Sequence, residues 1–227
     1  MDALSFAILA GAGLTTVWLL WYTHRRLPAE LDERMRDSLQ AFSKAIELRF
    51  PAFEGVGQRV RRLAVAVGRE MRLDRPTLRR LELAATLRDI GLCAIPYALV
   101  NEIPEPDWTK AERATFERHP EVSAAMLEMT PSLRELAPIV RWHHASYDGS
   151  DNWDHASPVG NALPVEARVL KVVSDYVRLE RRMGDLLARE RLREGFSLQY
   201  DPLAGYALLR VLTSARAGDR ERAVGVS

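Results

Sequence analysis

The first part of the chain carries no charged side chain from Ala3 to Tyr22. A helix of these residues, at about 1.5 Å each, spans about 30 Å, which is the hydrocarbon thickness of a bilayer. The basic residues His24-Arg25-Arg26 follow the apolar run, so the positive-inside rule places the rest of the chain in the cytoplasm. Residues 1–26 are therefore predicted to form a single-pass transmembrane anchor in the inner (cytoplasmic) membrane. A cleaved signal peptide is the alternative, although it would carry its basic residues before the apolar run.

Residues 27–50 are predicted to form a linker or stalk helix that begins after a break at Leu27-Pro28. Apolar residues recur in it at spacings of three and four, which is one stripe of a helix with a polar outer face. We favour the interpretation that this stripe packs on the chain's own domain. The alternative is a short coiled coil that forms a homodimer, but fewer than three heptads are present. The stripe consists of Leu31, Met35, Leu39, Phe42 and Ile46.

The chain beyond Pro51 is predicted to be all-α, because no stretch shows a sustained period of two. This domain is expected to cover residues 51–216, followed by a tail at 217–227. The longest irregular segment, Ser146–Pro164, is predicted to be a functional or mobile loop. Helix starts are predicted at the capping-box pairs Thr109/Glu112 and Ser132/Glu135, and further helices over Val165–Met183 and Pro202–Arg216.

The charge balance argues against a DNA- or RNA-binding protein, because the formal net charge is only +1 and the arginine pairs lie among acidic neighbours. Cys93 is the only cysteine in the chain. No internal disulfide can therefore form, which fits a reducing compartment.

The histidines are concentrated in one part of the chain, since four of the five lie between positions 119 and 155. Imidazole is a ligand for Zn, Fe, Mn and Ni, and carboxylates are ligands for hard divalent ions. A mixed nitrogen and oxygen site could therefore be built from these residues, although any one histidine could instead be a surface or hydrogen-bonded core residue. The candidate ligands are Asp89, His119, His143, His144 and Asp175.

Several motifs occur in the order found in one family of bacterial enzymes. They include Leu87-Arg88-Asp89-Ile90-Gly91, Arg118-His119-Pro120, His143-His144, Tyr147-Asp148-Gly149, Ser174-Asp175-Tyr176 and Tyr200-Asp201-Pro202. Over about 170 residues the chain resembles the HD-GYP family, the helical metal-dependent phosphodiesterases that hydrolyse cyclic di-GMP. The resemblance implies an HD-domain helical bundle with a two-metal centre.

The resemblance also implies that the metal centre is incomplete. The first metal of the family would be held at Val56, Arg88, Asp89 and Asp175, and neither valine nor arginine can ligate a cation. The second metal would be held at Asp89, His119, His143 and His144, which are all present. Further departures from the family pattern are Leu92, Ala145 and Asp151-Asn152-Trp153. We expect Arg88 to replace the missing charge by pairing with Asp89, Asp175 or both.

Two functions from different classes follow from this pattern. The favoured hypothesis is a membrane-anchored signalling protein that binds partners or a nucleotide, such as a cyclic dinucleotide, with little or no turnover and with no metal or one. The alternative is a cyclic di-GMP phosphodiesterase that uses one divalent ion (Fe, Mn, Zn or Ni) and the catalytic residues Asp89 and Asp175, the latter orienting water. A purely structural anchored bundle is the third hypothesis.

Overall fold

The computed structural model describes residues 2–150 and 157–224, and these residues are almost entirely helical. The one β pairing among them is an isolated bridge between Phe196 and Tyr200. The chain divides into two units, Met1–Phe42 and Ser43–Ser227. The all-α prediction is therefore confirmed over the part of the chain that the structure describes.

The first helix, α1, spans Ala3–Trp21 and is followed by a π-helical turn at Tyr22–Arg26 and by α2 at Leu27–Arg49. The predicted break at Leu27-Pro28 is wrong, because the backbone stays helical throughout. Proline lacks an N–H and its ring crowds the carbonyl four residues earlier. The π turn accommodates this ring, since its backbone bonds close over five residues, as Leu27 N donates to Tyr22 O.

The helix that runs from Ala3 to Arg49 is long and apolar enough near its N-terminus to cross a membrane, judged by length and composition alone. The side chains of Leu31 and Phe42, in the predicted apolar stripe of α2, are exposed. Ile46, further along the stripe, packs against a core cluster of Phe50, Leu92, Ile95 and Leu99. Packing of the stripe on the chain's own domain is thus found at its C-terminal end.

The second unit is a bundle in which α3 packs against α4, α9 and α11. The helices α3 and α9 are amphipathic, and their buried faces carry small and branched residues such as Val60, Ala64, Val169 and Val173. The helices of this unit are α3 (Val56–Glu70), α4 (Arg75–Leu87), α5 (Tyr97–Asn101), α6 (Lys110–Glu117), α7 (His119–Glu128), α8 (Ala137–Arg141), α9 (Val165–Met183), α10 (Asp185–Glu194) and α11 (Pro202–Val224).

Helix starts were only partly predictable. The capping box of Thr109 and Glu112 forms as expected at α6. The helix predicted from Ser132 is wrong, because a short 3-10 turn at Arg134–Leu136 comes first and α8 begins at Ala137 with a proline in its first turn. The last helix, α11, continues to Val224, beyond the predicted end at Arg216, and residues 225–227 of the predicted tail lie outside the described residues.

Candidate metal centre

Asp89 lies in a tight turn directly after α4, and this turn is locked onto α7. The buried hydroxyl of Ser123 donates to the carbonyl of Arg88 and accepts from the backbone N–H of Gly91, each at 2.8 Å. A Cβ on Gly91 would lie 2.2 Å from the carbonyl oxygen of His119. Only glycine therefore allows the turn to approach α7 this closely, which carries Asp89 towards His119.

Backbone carbonyls set the tautomers of two histidines. The Nδ1–H of His119, the first residue of α7, donates to Phe116 O at 2.8 Å. The Nδ1–H of His143, just after α8, donates to Val140 O at 2.6 Å. Since a carbonyl can only accept, each Nδ1 carries a proton, and Nε2 is the ring nitrogen that can offer a lone pair to a metal ion. This is the arrangement that orients histidine ligands in metal sites.

The ligand atoms of the candidate site converge. The Oδ1 atom of Asp89 lies 3.6 Å from His119 Nε2 and 3.8 Å from His143 Nε2. One ligand nitrogen from each of His119, His143 and His144 lies within 4.8 Å of the others. Two ligands at about 2.1 Å from one ion can be up to about 4.2 Å apart, so small adjustments would bring this set around a single ion.

The chemistry of His143 fits a bound cation. Its side chain is fully buried, and its Nε2 atom has no hydrogen-bond partner among the described residues. Burial lowers the pKa of His143 to about 3, an effect that Asp89 opposes and His119 reinforces. The ring is therefore neutral at physiological pH, with a buried lone pair that no residue in the described part of the chain satisfies. A metal ion would satisfy it.

Arg88 points its guanidinium at the carboxylate of this site. The side chain is almost fully buried, and its NH2 lies 2.6 Å from Asp89 Oδ2, while its NH1 donates to Ala85 O at 2.7 Å. Burial would raise the pKa of Asp89, but Arg88 and the two histidines outweigh it and hold that pKa well below its usual range. Of the pairings expected for Arg88, the structure shows the one with Asp89.

The two altered ligand positions lie at one small cavity. A space of about 20 Å³ is lined by Val56, Arg88 and Asp89 together with Glu47 of α2 and Phe50, which follows α2. A cavity of this volume has room for about one water molecule. Arg88 contacts Oδ2 of Asp89, whereas the two histidines face Oδ1. Neither arginine nor valine offers an electron pair to a cation.

Asp175, the remaining candidate ligand, is surrounded by two cations and a tyrosine hydroxyl. Its buried carboxylate is contacted by Lys171 Nζ at 3.0 Å, by Arg178 NH2 at 3.0 Å and by the hydroxyl of Tyr200 at 3.1 Å. It is not part of the histidine group. The cations lie four residues before and three residues after Asp175 on α9, a helical spacing that is visible in the sequence. The altered segment Asp151-Asn152-Trp153 lies outside the described residues.

Comparison with known proteins defines the class. The family model of the HD domain matches residues 40–197, and the chain belongs to this family. The cyclic di-GMP phosphodiesterase response regulator RpfG of Xanthomonas campestris pv. campestris (strain 8004) is 32% identical over 149 residues. The aligned region covers 65% of this chain but only 38% of that relative. The resemblance stated from the sequence motifs is thereby confirmed.

Two solved structures share the fold. A cyclic GMP-AMP specific phosphodiesterase of V. cholerae (V-cGAP3) has a TM-score of 0.59 at 13% identity, covering 78% of this chain and 48% of that one. The PgpH HD domain of L. monocytogenes, in complex with cyclic-di-AMP, has a TM-score of 0.54 at 14% identity, covering 78% and 96%. At these identities the likeness extends to the fold alone.

Proposed function

We propose that this chain is a regulatory HD-domain protein that holds at most one metal ion and binds a cyclic dinucleotide with little or no turnover. The observation that supports this most strongly is the ion pair of Arg88 with Asp89. A guanidinium has five N–H donors and no acceptor, and it stays protonated at any physiological pH. Its fixed positive charge therefore takes over the role of a second cation beside the shared carboxylate.

The loss of a second ion removes most of the catalytic power of such a centre. In two-metal hydrolysis, ions about 3.5–4 Å apart stabilise both the attacking and the leaving oxygen. Arg88 can balance the charge of Asp89, but it cannot coordinate a water molecule and lower its pKa as a metal ion does. The remaining ion would be held by Asp89, His119, His143 and His144. When bound, an Fe, Mn, Zn or Ni ion would supply Lewis-acid polarisation of a phosphoryl oxygen.

A second candidate function is phosphodiesterase activity from this one-ion site. The observation in its favour is the unsatisfied Nε2 atom of His143, which is prepared for a ligand. Against it, Asp175 is engaged by Lys171, Arg178 and Tyr200, so it is not available to orient water. We therefore rank this function below the regulatory one.

The experiment compares metal content and cyclic di-GMP hydrolysis in the full chain and in a Val56→His/Arg88→His variant. We expect the variant to bind about one additional ion per chain and to hydrolyse cyclic di-GMP faster. The matched control, Val56→Ala/Arg88→Met, removes the same groups without adding ligands, so it can hold the single ion more tightly but should not gain a second one. If the unaltered chain hydrolyses cyclic di-GMP rapidly and chelation abolishes this activity, the regulatory function is wrong and the phosphodiesterase function is supported.

We also propose that α1 anchors the protein in the inner membrane with the HD domain in the cytoplasm. The uncharged run of α1 and the basic residues His24, Arg25 and Arg26 support this orientation. The test is cell fractionation with intact-mass measurement of the recovered protein. An anchored chain stays with the membrane after a high-salt wash and keeps its full mass, whereas a cleaved signal peptide leaves a shorter, salt-soluble product. Cross-linking in the same membranes tests dimer formation through α2.

A further inference from the structure

A cleft separate from the small cavity at Val56 has a volume of about 540 Å³, the size range of small-molecule binding sites. One wall is the α9 face that carries Lys171, Asp175 and Arg178. The opposite wall is the turn after α10, residues 195–200, and Asp148. All of these residues belong to the HD-domain unit, so the cleft is formed within one compact body.

The cleft is physically joined to the histidine doublet. Asp148, in the wall, comes four residues after His144, and four residues span at most about 14 Å. The backbone N–H groups of Tyr147 and Asp148 donate to Gln199 O at 3.1 Å and Leu198 O at 2.8 Å, which ties this segment to the turn after α10. The wall of the cleft at Asp148 therefore lies within about 14 Å of His144.

One buried carboxylate orients two cations in this cleft. The Asp175 carboxylate is contacted by Lys171 Nζ at 3.0 Å and by Arg178 NH2 at 3.0 Å. The hydroxyl of Tyr200 donates to Asp175 Oδ2 at 3.1 Å. With one ionised carboxylate and two cations, the cluster has a net charge of +1. Asp175 lies beneath, with 3% of its side chain exposed, and Arg178 lies above it, with 55% exposed.

The other charged groups of the cleft largely satisfy one another. Arg191 pairs with Glu194 at 2.6 Å. The carboxylate of Asp148 accepts from the backbone N–H of Ser150 at 3.0 Å and from its hydroxyl at 2.7 Å. The formal charges of all the residues that line the cleft sum to zero. Around Asp175, however, two cations face one carboxylate, and the more exposed of these cations is the guanidinium of Arg178. That group donates one hydrogen bond to Asp175 and has further N–H donors.

From this geometry we propose that the cleft is the binding site for a phosphodiester group of a cyclic dinucleotide, with Arg178 and Lys171 as its anion-binding residues and Asp175 as their positioning residue. The planar fork of a guanidinium matches two oxygens of a phosphate, and an ammonium adds a compact positive charge. The inference rests on the proposed function and assigns the ligand-binding residues that the metal centre does not supply.

The test is titration of the full chain in detergent with cyclic di-GMP, cyclic-di-AMP and cyclic GMP-AMP, with metal content measured on each sample. We expect Arg178→Gln to weaken binding of the preferred nucleotide by about tenfold or more, which is the loss of one charge-assisted hydrogen bond. Arg178→Lys should recover part of the affinity. Arg193→Gln is the matched control, because it removes the same charge from an exposed residue of α10 outside the cleft. Inorganic phosphate at millimolar concentration should compete with the nucleotide.

Three results would overturn the proposal. The first is an equal nucleotide affinity of the Arg178→Gln variant and the unaltered chain. This result would refute the cleft as the binding site but would not bear on the proposed one-ion metal centre. The second is equal weakening by Arg178→Gln and Arg193→Gln, which indicates only a general surface-charge effect. The third is no binding of any of the three nucleotides by the unaltered chain. In that case the metal content of the same samples still reports separately on the metal part of the proposed function.

Discussion

Replacing Arg88 by methionine tests whether this arginine takes the place of a metal ion beside Asp89. If it does, the variant should lose stability without metal but bind a metal ion more tightly. Methionine keeps most of the apolar stem but removes the guanidinium, which lies 2.6 Å from Asp89 Oδ2. Removing one partner of a buried ion pair costs about 3–5 kcal/mol. Because 28% of the Asp89 side chain is exposed, water can hydrate part of the remaining charge. We therefore expect a loss of about 2–3 kcal/mol in the free energy of unfolding when metal is chelated.

The effect on metal affinity should have the opposite sign. Two unit charges about 4 Å apart interact by about 4 kcal/mol at an effective dielectric constant of 20. After screening, removal of the positive charge should still favour a divalent ion at Asp89 by at least about 1.4 kcal/mol, or about tenfold in affinity.

The assay is urea unfolding of the full chain in EDTA, followed by circular dichroism, together with calorimetric titration of Mn²⁺ and Zn²⁺ into metal-free protein. Arg62→Met, an exposed position on α3, is the control and should change stability by less than about 0.5 kcal/mol. If Arg88→Met loses both stability and metal affinity, or changes neither, the reasoning that Arg88 replaces an ion is refuted.

Further predictions concern the turn at Asp89 and the ion cluster on α9. Gly91→Ala should cost about 1–3 kcal/mol and reduce metal binding, because the new Cβ meets backbone atoms of α7. Gly68→Ala should cost less and leave metal binding intact, because it meets only leucine side-chain ends; urea unfolding and metal analysis compare the two. Ser123→Ala should lower metal affinity by freeing the turn, with Ser123→Thr retaining more of it in the same titration. Asp175→Asn should cost about 2–4 kcal/mol at pH 7. Since the folded-state pKa of Asp175 is below its usual 3.8, this difference should be complete above about pH 4 and disappear as the pH falls through the folded-state value. The measurement is urea unfolding of the unaltered chain and of Asp175→Asn between pH 7 and 3. If the difference in their free energies of unfolding did not change with pH, the contacts of Asp175 with Lys171 and Arg178 would not be ionic.

Much of the fold was predictable because its signals are local. The apolar periodicity defined α9 with the bounds later found, and the side chains of Thr109 and Glu112 formed the predicted cap. The helix around Pro28 was not predictable from proline alone, because a π turn that accommodates the ring leaves no pattern in the sequence. The start of α8 was misjudged for a similar reason, since a 3-10 turn took the place of the predicted first helical turn.

The candidate site was predictable only through the family resemblance. The spacing of Asp89, His119 and His143 along the chain does not predict that they lie close together. The order of the motifs predicted it, because the same order occurs in the family. The resemblance also indicated that Val56 and Arg88 would lie at Asp89. It did not predict the environment of Asp175, where partners on the same helix compete for the carboxylate. The hydroxyl of Ser123 was missed because a serine inside a helix carries no signal until its tertiary contacts are known.

The most direct test of the account is the number of metal ions per chain. The full chain, expressed with added Fe, Mn or Zn and stripped of loosely bound ions, is analysed by plasma mass spectrometry together with a His143→Ala/His144→Ala variant. The account predicts no more than about one ion in the unaltered chain and essentially none in the variant. Two ions per chain, with a crystal structure showing both beside Asp89 and the Arg88 guanidinium turned away, would contradict it.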